Sequence, residues 1–271
     1  MSNEYLLHVD QVFFKHERSP KLAPDAYASH MHNMFELIYF VGGDATHVIE
    51  DRAYKLKKGD LILIRPGHFH FIRIDAVSDY ERYDILFDPV KHRVPAVQLM
   101  AENMEVINIA DNEIATDIFR RCDLYAKSCE GEAFSEIMSH LLCELFYSIS
   151  LFSKNPTSSV RHSPLLTDAL QYINSRLCEI VHSKEIADHL FVSESYLVRL
   201  FRRELQQTPK KYLTEKRLLQ AQRQIRAGST ASAAALQCGF LDYTTFYRNY
   251  RAYFGYAPTK EGEDAKTEQG V

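Results

Sequence analysis

Between residues 30 and 88, apolar residues come in short runs cut by glycine, proline and aspartate. Phe35 to Val41 runs into Gly42-Gly43-Asp44, and Thr46 to Glu50 and Ala53 to Leu56 flank Asp51-Arg52. Leu61 to Ile64 follows Lys58-Gly59-Asp60, Phe69 to Ile74 follows Pro66-Gly67, and Tyr80 to Phe87 completes the series. Runs this short, separated by turn residues, predict a small antiparallel barrel or sandwich. The period then changes. Residues 113–129 and 134–152 read as helices, the second with Ile137, Leu141, Leu142, Leu145, Phe146, Ile149 and Phe152 on one stripe. That stripe either covers the barrel or pairs with a second copy, and a dimer interface is the favoured reading. A polar, proline-containing linker spans 154–164, helices dominate from Leu165 to Phe254, and the acidic tail 259–271 is expected to be disordered.

Two stretches of the helical region repeat one design. Ser183 to Ser193 precedes a helical stretch from Glu194 to Leu205, and Ser232 to Asp242 precedes one from Tyr243 to Phe254. Each reads as a short helix, a tight turn and an amphipathic helix that starts at a capping residue, Ser193 or Asp242. This is helix-turn-helix grammar, and two units in tandem imply sequence-specific binding to double-stranded DNA. In the first, Leu197, Leu200, Phe201 and Leu205 form the seating stripe, leaving Ser195, Val198, Arg199 and Arg202 opposite. In the second, Phe246, Tyr250 and Phe254 form it, leaving Tyr243, Thr244, Thr245, Tyr247 and Arg248. Arginine at the exposed centre of such a helix matches the acceptor pair of guanine, and Thr or Val can touch thymine methyls. Lys210, Lys211, Arg202, Arg203 and Arg251 suit phosphates, which position without specifying.

Charge follows the same division. The 271 residues carry a net charge of -4. Residues 1–160 hold 16 Lys/Arg against 24 Asp/Glu, whereas residues 161–260 hold 15 against 8. Only that second block has the sign that phosphate binding requires. No apolar run approaches bilayer length, and Met1-Ser-Asn-Glu-Tyr5 does not begin a secretory pattern. The five cysteines, Cys122, Cys129, Cys143, Cys178 and Cys238, are scattered without a Cys-x-x-Cys pair, so reduced thiols in a cytoplasmic protein are expected.

A second constellation lies in the first half. His30, His32 and Glu36 share parity, so an extended strand places them on one face, and His70 has the same parity on a later strand. Three imidazoles and a carboxylate can form the inner shell of a divalent transition metal. They equally suit hydrogen bonds to a polar effector, with Tyr39 and Arg82 as further contacts and Arg65, Tyr80 and Tyr83 as weaker candidates. The effector pocket is the favoured reading, with no cofactor; if a metal binds, its ligands are His30, His32, Glu36 and His70.

Ala187, Ser193, Leu197, Arg199, Leu200-Phe201, Thr208-Pro209, Tyr212-Leu213, Arg217 and Ala221 lie where the first motif of the arabinose-regulator (AraC/XylS) family of bacterial transcription factors lies. Ala235, Gly239-Phe240, Asp242, Phe246, Arg248, Gly255 and Pro258 match its second. The resemblance covers residues 165–258. It implies two recognition helices entering neighbouring major grooves, joined by one long helix, here Lys210 to Ala227. Three departures stand out: Gln206 replaces the glycine usual after the first recognition helix, Ala234 replaces a larger aliphatic residue, and Ala257 replaces Thr before Pro258. They predict a looser second unit. The His/Glu set, with Gly43 and Gly59, resembles the two motifs of the cupin superfamily, and sensor domains of this regulator family are themselves cupin-like.

The resulting fold is α+β. Residues 1–110 form a cupin-like effector-sensing barrel, 111–153 a helical dimerisation segment, 154–164 a linker and 165–258 an all-α domain with two helix-turn-helix motifs. The function expected is a bacterial, cytoplasmic, nucleoid-associated regulator, an activator answering a sugar or related carbon source. Its partners are DNA, the effector, a second copy and RNA polymerase, with no membrane. The alternative is a cupin metalloenzyme, an isomerase or dioxygenase with a helical appendage. It leaves the basic tandem reader unexplained, and no catalytic group stands beside the metal ligands. RNA modules that stack bases on aromatic strands have no counterpart in the basic half.

Overall fold

Both faces of the larger sheet are buried, which is why its strands read as nearly continuous apolar runs rather than strict alternation. The computed structural model describes residues 5–9, 12–22, 27–101, 104–152 and 157–262. These residues form two compact units, one drawn from Met1–His30 and Met34–Val160, the other from Arg161–Val271 with Met31–Asn33.

In the first unit the strands are β1 (Tyr5–Val9), β2 (Val12–Leu22), β3 (Phe35–Gly42), β4 (Ala45–Ile49), β5 (Arg52–Lys55), β6 (Asp60–Ile64), β7 (His70–Ile74), β8 (Ser78–Phe87) and β9 (Val106–Asn108). The larger sheet runs in the order β1-β2-β8-β3-β6-β9. The smaller has β5, β4 and β7 side by side, with the two-residue β10 (Val160–Arg161) at its edge. Along β3, Ile38 and Phe40 pack with Ile62, Ile64, Ile72 and Ile74 on the inner face. Leu37, Tyr39 and Val41 face the other way, where α1 (Glu113–Ser128) and α2 (Gly131–Phe152) cover the sheet through Ile118, Phe119, Phe134, Met138, Leu142, Leu145 and Phe146. Gly59, at φ +89°, closes the turn into β6; a Cβ there would lie 2.6 Å from the Ala110 Cβ.

Two expectations change. The strands before residue 30 were not legible, because β2 carries His16, Glu17 and Arg18 in its centre; His16 and Glu17 are buried against charged partners rather than apolar ones. Leu141, Leu142, Leu145, Phe146 and Ile149 of the α2 stripe are buried in the sheet's own core, so they form no dimer surface. Phe152, at the end of that stripe, is exposed.

The second unit comprises α3 (Pro164–Ser175), α4 (Ser183–His189), α5 (Glu194–Leu205), α6 (Pro209–Arg226), α7 (Ala231–Gln237), α8 (Tyr243–Phe254) and a 3-10 turn, Pro258–Gly262. The last residue of the expected linker, Pro164, is the first of α3, capped by Ser163. The second helix-turn-helix is not loose. Phe246 and Tyr250 are fully buried with Ala234, Ala235, Cys238 and Phe240, and Tyr253, Phe254 and Tyr256 pack around them. Glu261, placed by sequence in a disordered tail, ties this core down. It accepts hydrogen bonds from Tyr250 at 2.6 Å and Tyr256 at 2.5 Å, and from Arg226 at 2.8 Å. Burial works against its charge, but the Tyr250, Tyr256 and Arg226 donors outweigh it and hold the carboxyl below its usual range. Residues 263–271 of that tail lie outside the described residues.

Candidate functional site

The two longer helices of the tandem motif are built alike. Ser193 caps α5 by accepting from the Tyr196 amide at 3.2 Å, and Asp242 caps α8 by accepting from Thr245 at 2.7 Å. These bonds satisfy amides that a helix start leaves orphaned. Leu197, Leu200, Phe201 and Leu205 are buried, which aims Ser195, Arg199 and Arg202 at solvent and leaves Val198 half-buried. In α8, buried Phe246 and Tyr250 leave Tyr243, Thr244, Tyr247, Arg248 and Arg251 exposed and Thr245 half-buried. Arg199 and Arg248 are each the sixth residue of their helix, and Arg202 and Arg251 each the ninth. The units therefore present arginine at equivalent places, each on a rigid, capped helix.

The turn inside each motif needs a left-handed residue. Gly239 supplies it in the second unit at φ +81°, and Phe191 adopts it in the first at φ 56°. Gln206 ends α5 at φ 56°, ψ 19°, the left-handed cap inferred from sequence. The long connector runs from Pro209 to Arg226, capped by Thr208.

In the barrel, β3 and β8 pair with Ile38 opposite Asp84 and Glu36 opposite Leu86, and β4 pairs with β7 with Ile49 opposite His70. This register brings Glu36, His47, His70, Arg82 and Asp84 to one cavity of about 360 Å³, also lined by His30, Phe13, Tyr27, Ile38 and Ile72. His70 Nε2 lies 2.8 Å from Glu36 Oε2 and 3.1 Å from His30 Nε2. Within this unit His30, Glu36 and His70 each offer a ligand atom within 4.8 Å of the others, whereas His32 belongs to the second unit. The expected single extended strand is absent: β3 begins at Phe35, His30 joins the group through an isolated bridge to His70, and His32 does not line the cavity.

Tyr39 does not belong to this site. It is odd-numbered on β3, so it projects from the opposite face and stacks on Phe119 at 4.3 Å. Tyr83 shares that face and donates to Asp123 at 2.8 Å, while Arg65 donates to the Ala101 carbonyl at 2.6 Å. Arg82 does line the cavity. Burial opposes its charge, but Tyr80, Asp84, Tyr27 and Glu36 hold its pKa above the ordinary value, and it sits 4.5 Å over the Tyr27 ring.

Sequence reasoning missed His47 and Asp84. His47 has odd parity, and only the offset between β4 and β7 turns it inward. It is fully buried, and burial first, then His70, pushes its pKa well below the usual value, so it is a neutral imidazole. Among the described residues, neither of its ring nitrogens has a hydrogen-bond partner, nor does Asp84 Oδ1. Burial first and the Glu36 carboxylate second raise the Asp84 carboxyl well above its usual range, against Arg82. The signal available for Asp84 was Arg82-x-Asp84 alternating with apolar Tyr83 and Ile85 in a strand buried on both sides.

A family of helix-turn-helix domains matches residues 186–262, and the family of AraC-like ligand binding domains matches residues 21–94. The chain belongs to the AraC family of transcriptional regulators. An uncharacterized HTH-type transcriptional regulator, YfiF of Bacillus subtilis, is 24% identical over 189 residues, which is 65% of this chain and 60% of that protein. The HTH-type transcriptional activator RhaS of Escherichia fergusonii is 23% identical over 261 residues, covering 91% of this chain and 92% of its own. The HTH-type transcriptional activator RhaR of Cronobacter sakazakii is 24% identical over 250 residues, covering 86% and 88%. This AraC-type regulator therefore joins a cupin-like ligand-binding domain to a tandem DNA-binding domain. Among the described residues no helix is long and apolar enough to cross a membrane.

Proposed function

We propose that this regulator is an activator answering a neutral, polyhydroxylated small molecule of sugar size, bound in the barrel cavity. The observation that carries this reading is His47, fully buried beside the cavity with both ring nitrogens lacking hydrogen-bond partners. A buried polar group without a partner costs about 1–3 kcal/mol, which a bound ligand can recover. Hydroxyls both donate and accept, so a polyol suits a neutral imidazole and the Asp84 carboxyl together. Arg82 is ion-paired with Glu17 at 3.5 Å and Asp84 at 3.3 Å, although its Nε has no hydrogen-bond partner, and Glu36 lines the same wall, so the acidic surroundings disfavour a carboxylate ligand. The activator sign rests on the printed names of the RhaS and RhaR relatives.

In this reading residues 165–258 read DNA with Arg199 and Arg248 on base edges, supported by Ser195, Val198, Tyr243, Thr244, Thr245 and Tyr247, with Arg202 and Arg251 on phosphates. The barrel reports the effector, which acts only through different affinities for two arrangements of the protein. The regulator works in the bacterial cytoplasm as a homodimer, on nucleoid DNA, and engages RNA polymerase. Ile114, Leu124, Tyr125, Tyr147, Leu151 and Phe152 support dimerisation, being exposed apolar residues on α1 and α2. The test is calorimetric titration with neutral sugars, polyols and the matching sugar acids. Binding by a neutral member that also shifts operator affinity supports the reading; binding by acids alone refutes it.

One observation favours a metal as a second reading. His30 Nδ1 and His70 Nδ1 each lie 3.0 Å from a backbone carbonyl, of Ala28 and His68, which can only accept. In the neutral form of each ring the proton is therefore on Nδ1, and the Nε2 lone pairs converge with Glu36. That donor set fits a zinc-like divalent ion, which would polarise a ligand hydroxyl in the cavity. Metal analysis of untagged protein decides it: stoichiometric metal, lost in His70→Ala, supports this reading, and metal-free protein removes it.

A further inference from the structure

The turn of the second helix-turn-helix is one residue longer than that of the first. In the first, the Val192 amide donates to the Ala187 carbonyl at 3.0 Å, and Ser193, the cap of α5, comes next. In the second, the Phe240 amide makes the equivalent bond to Ala235 at 3.0 Å, and Leu241 intervenes before the cap Asp242. Leu241 is 78% exposed. An apolar residue just before a helix cap often packs on the fourth residue of the helix. Here that fourth residue, Phe246, is fully buried and packs on Phe240, with ring centroids 5.2 Å apart. Leu241 is thus left to solvent by the packing of its own turn.

The exposed apolar surface continues onto the helix. Tyr243 and Tyr247 are exposed one turn apart, with ring centroids 6.2 Å apart, and Thr244 beside them is exposed too. The matching positions of α5 differ: Glu194 stands for Tyr243, Ser195 for Thr244 and half-buried Val198 for Tyr247. The first turn has its own exposed apolar residue, Phe191, but it lines a hollow with Leu165, Tyr172 and Arg176 of α3. The two helices therefore carry arginine at equivalent places and different chemistry at their N-terminal ends. Those ends are the part of a recognition helix that meets base edges.

Given base reading by both helices, on which this rests, we propose that Leu241, Tyr243 and Tyr247 read the C5 methyl groups of thymine, so that the operator half under α8 is selected by its thymines. Thymine presents an apolar group at its major-groove edge, where the other bases present only donors and acceptors. Leucine over one of those polar edges would displace its water and offer no partner, so the same side chain favours thymine and disfavours the rest. Covering Leu241 and the tyrosine rings with methyl groups removes apolar surface from water on both partners.

The experiment titrates the full-length protein on an operator selected from genomic DNA, and on copies in which each thymine in turn is deoxyuridine. Uracil keeps the pairing and the polar edge and lacks only the methyl. Each contacted thymine is expected to lose about four-fold in affinity when its methyl is removed, and these positions fall in one half of the operator. Leu241→Ala, at an exposed site, folds normally, binds the operator several-fold more weakly, and is indifferent to at least one of those methyls. Tyr247→Ala is indifferent to another, while Arg199→Ala remains sensitive to them all. Uracil tolerated throughout, sensitive positions shared equally by both halves, or unchanged sensitivity in Leu241→Ala and Tyr247→Ala overturns the proposal. If Arg199→Ala and Arg248→Ala still discriminate operator from random DNA less well than the unaltered protein, such a result removes methyl reading alone; if those variants lose equally on both DNAs, base reading falls with it.

Discussion

The Arg217 Nη1 donates a 3.0 Å hydrogen bond to the carbonyl of Gly239, across the junction between the two helix-turn-helix motifs. With its bonds to Leu177 and Ile180, the guanidinium satisfies three main-chain acceptors, and burial lowers its pKa below the arginine norm. Arg217→Met leaves those acceptors to a thioether that cannot donate. It is expected to destabilise the second unit by about 3 kcal/mol in denaturant unfolding. Arg217→Lys recovers only part of that, because an ammonium does not match the fork.

Gln206 carries a cost in backbone conformation. Its left-handed φ of 56° is a position that glycine adopts without a Cβ penalty. Gln206→Gly is expected to raise stability by about 1 kcal/mol, read from the urea midpoint, with DNA affinity unchanged.

His47 is kept for binding rather than for stability. Replacing a buried, unpartnered imidazole with an apolar side chain of similar volume removes a desolvation cost. His47→Leu is expected to raise the melting temperature of the ligand-free protein by a few degrees, on the order of 1 kcal/mol, while abolishing the effector's calorimetric signal. Loss of stability together with retained ligand binding contradicts the assigned role.

Asp75 makes part of the fold acid-sensitive. Burial alone would raise its carboxyl, but hydrogen bonds from Lys55, Thr46 and Arg73 outweigh it and hold the pKa at about 2. The folded value is depressed, so the stabilisation is complete above the unfolded value near 3.8 and is lost as pH falls from there towards 2. Because the carboxyl lies at the surface among solvent-exposed partners, Lys55 and Arg73, the effect is small. Asp75→Asn is expected to flatten the melting temperature between about pH 4 and pH 2 relative to the unaltered protein.

The helical half was legible because its chemistry is local. Capping residues, four-residue apolar spacing and exposed arginines all follow from short stretches, and α5 and α8 begin and end where that grammar places them. The pocket was half legible. The residue types of His30, Glu36 and His70 were visible, but His30 precedes β3 and meets His70 through an isolated bridge, and His47 enters through the offset between strands, which no single strand records. Tyr39 failed for the complementary reason: its polar hydroxyl suggested a pocket, while its odd position committed it to the helix-covered face. Glu261 escaped notice because an acidic tail residue becomes structural only when Tyr250, Tyr256 and Arg226 converge on it.

The central claim is sequence-specific reading by two equivalent helices. Its most direct measurement is selection of fragmented genomic DNA of the source organism by the purified protein, at moderate salt, followed by titration of the enriched site against random DNA. The account predicts a few sites sharing a long asymmetric motif. It also predicts that Arg199→Ala and Arg248→Ala each lose about 1–3 kcal/mol on that motif and much less on random DNA. Recovery without a motif, or equal losses on both DNAs, would contradict base reading by these two arginines.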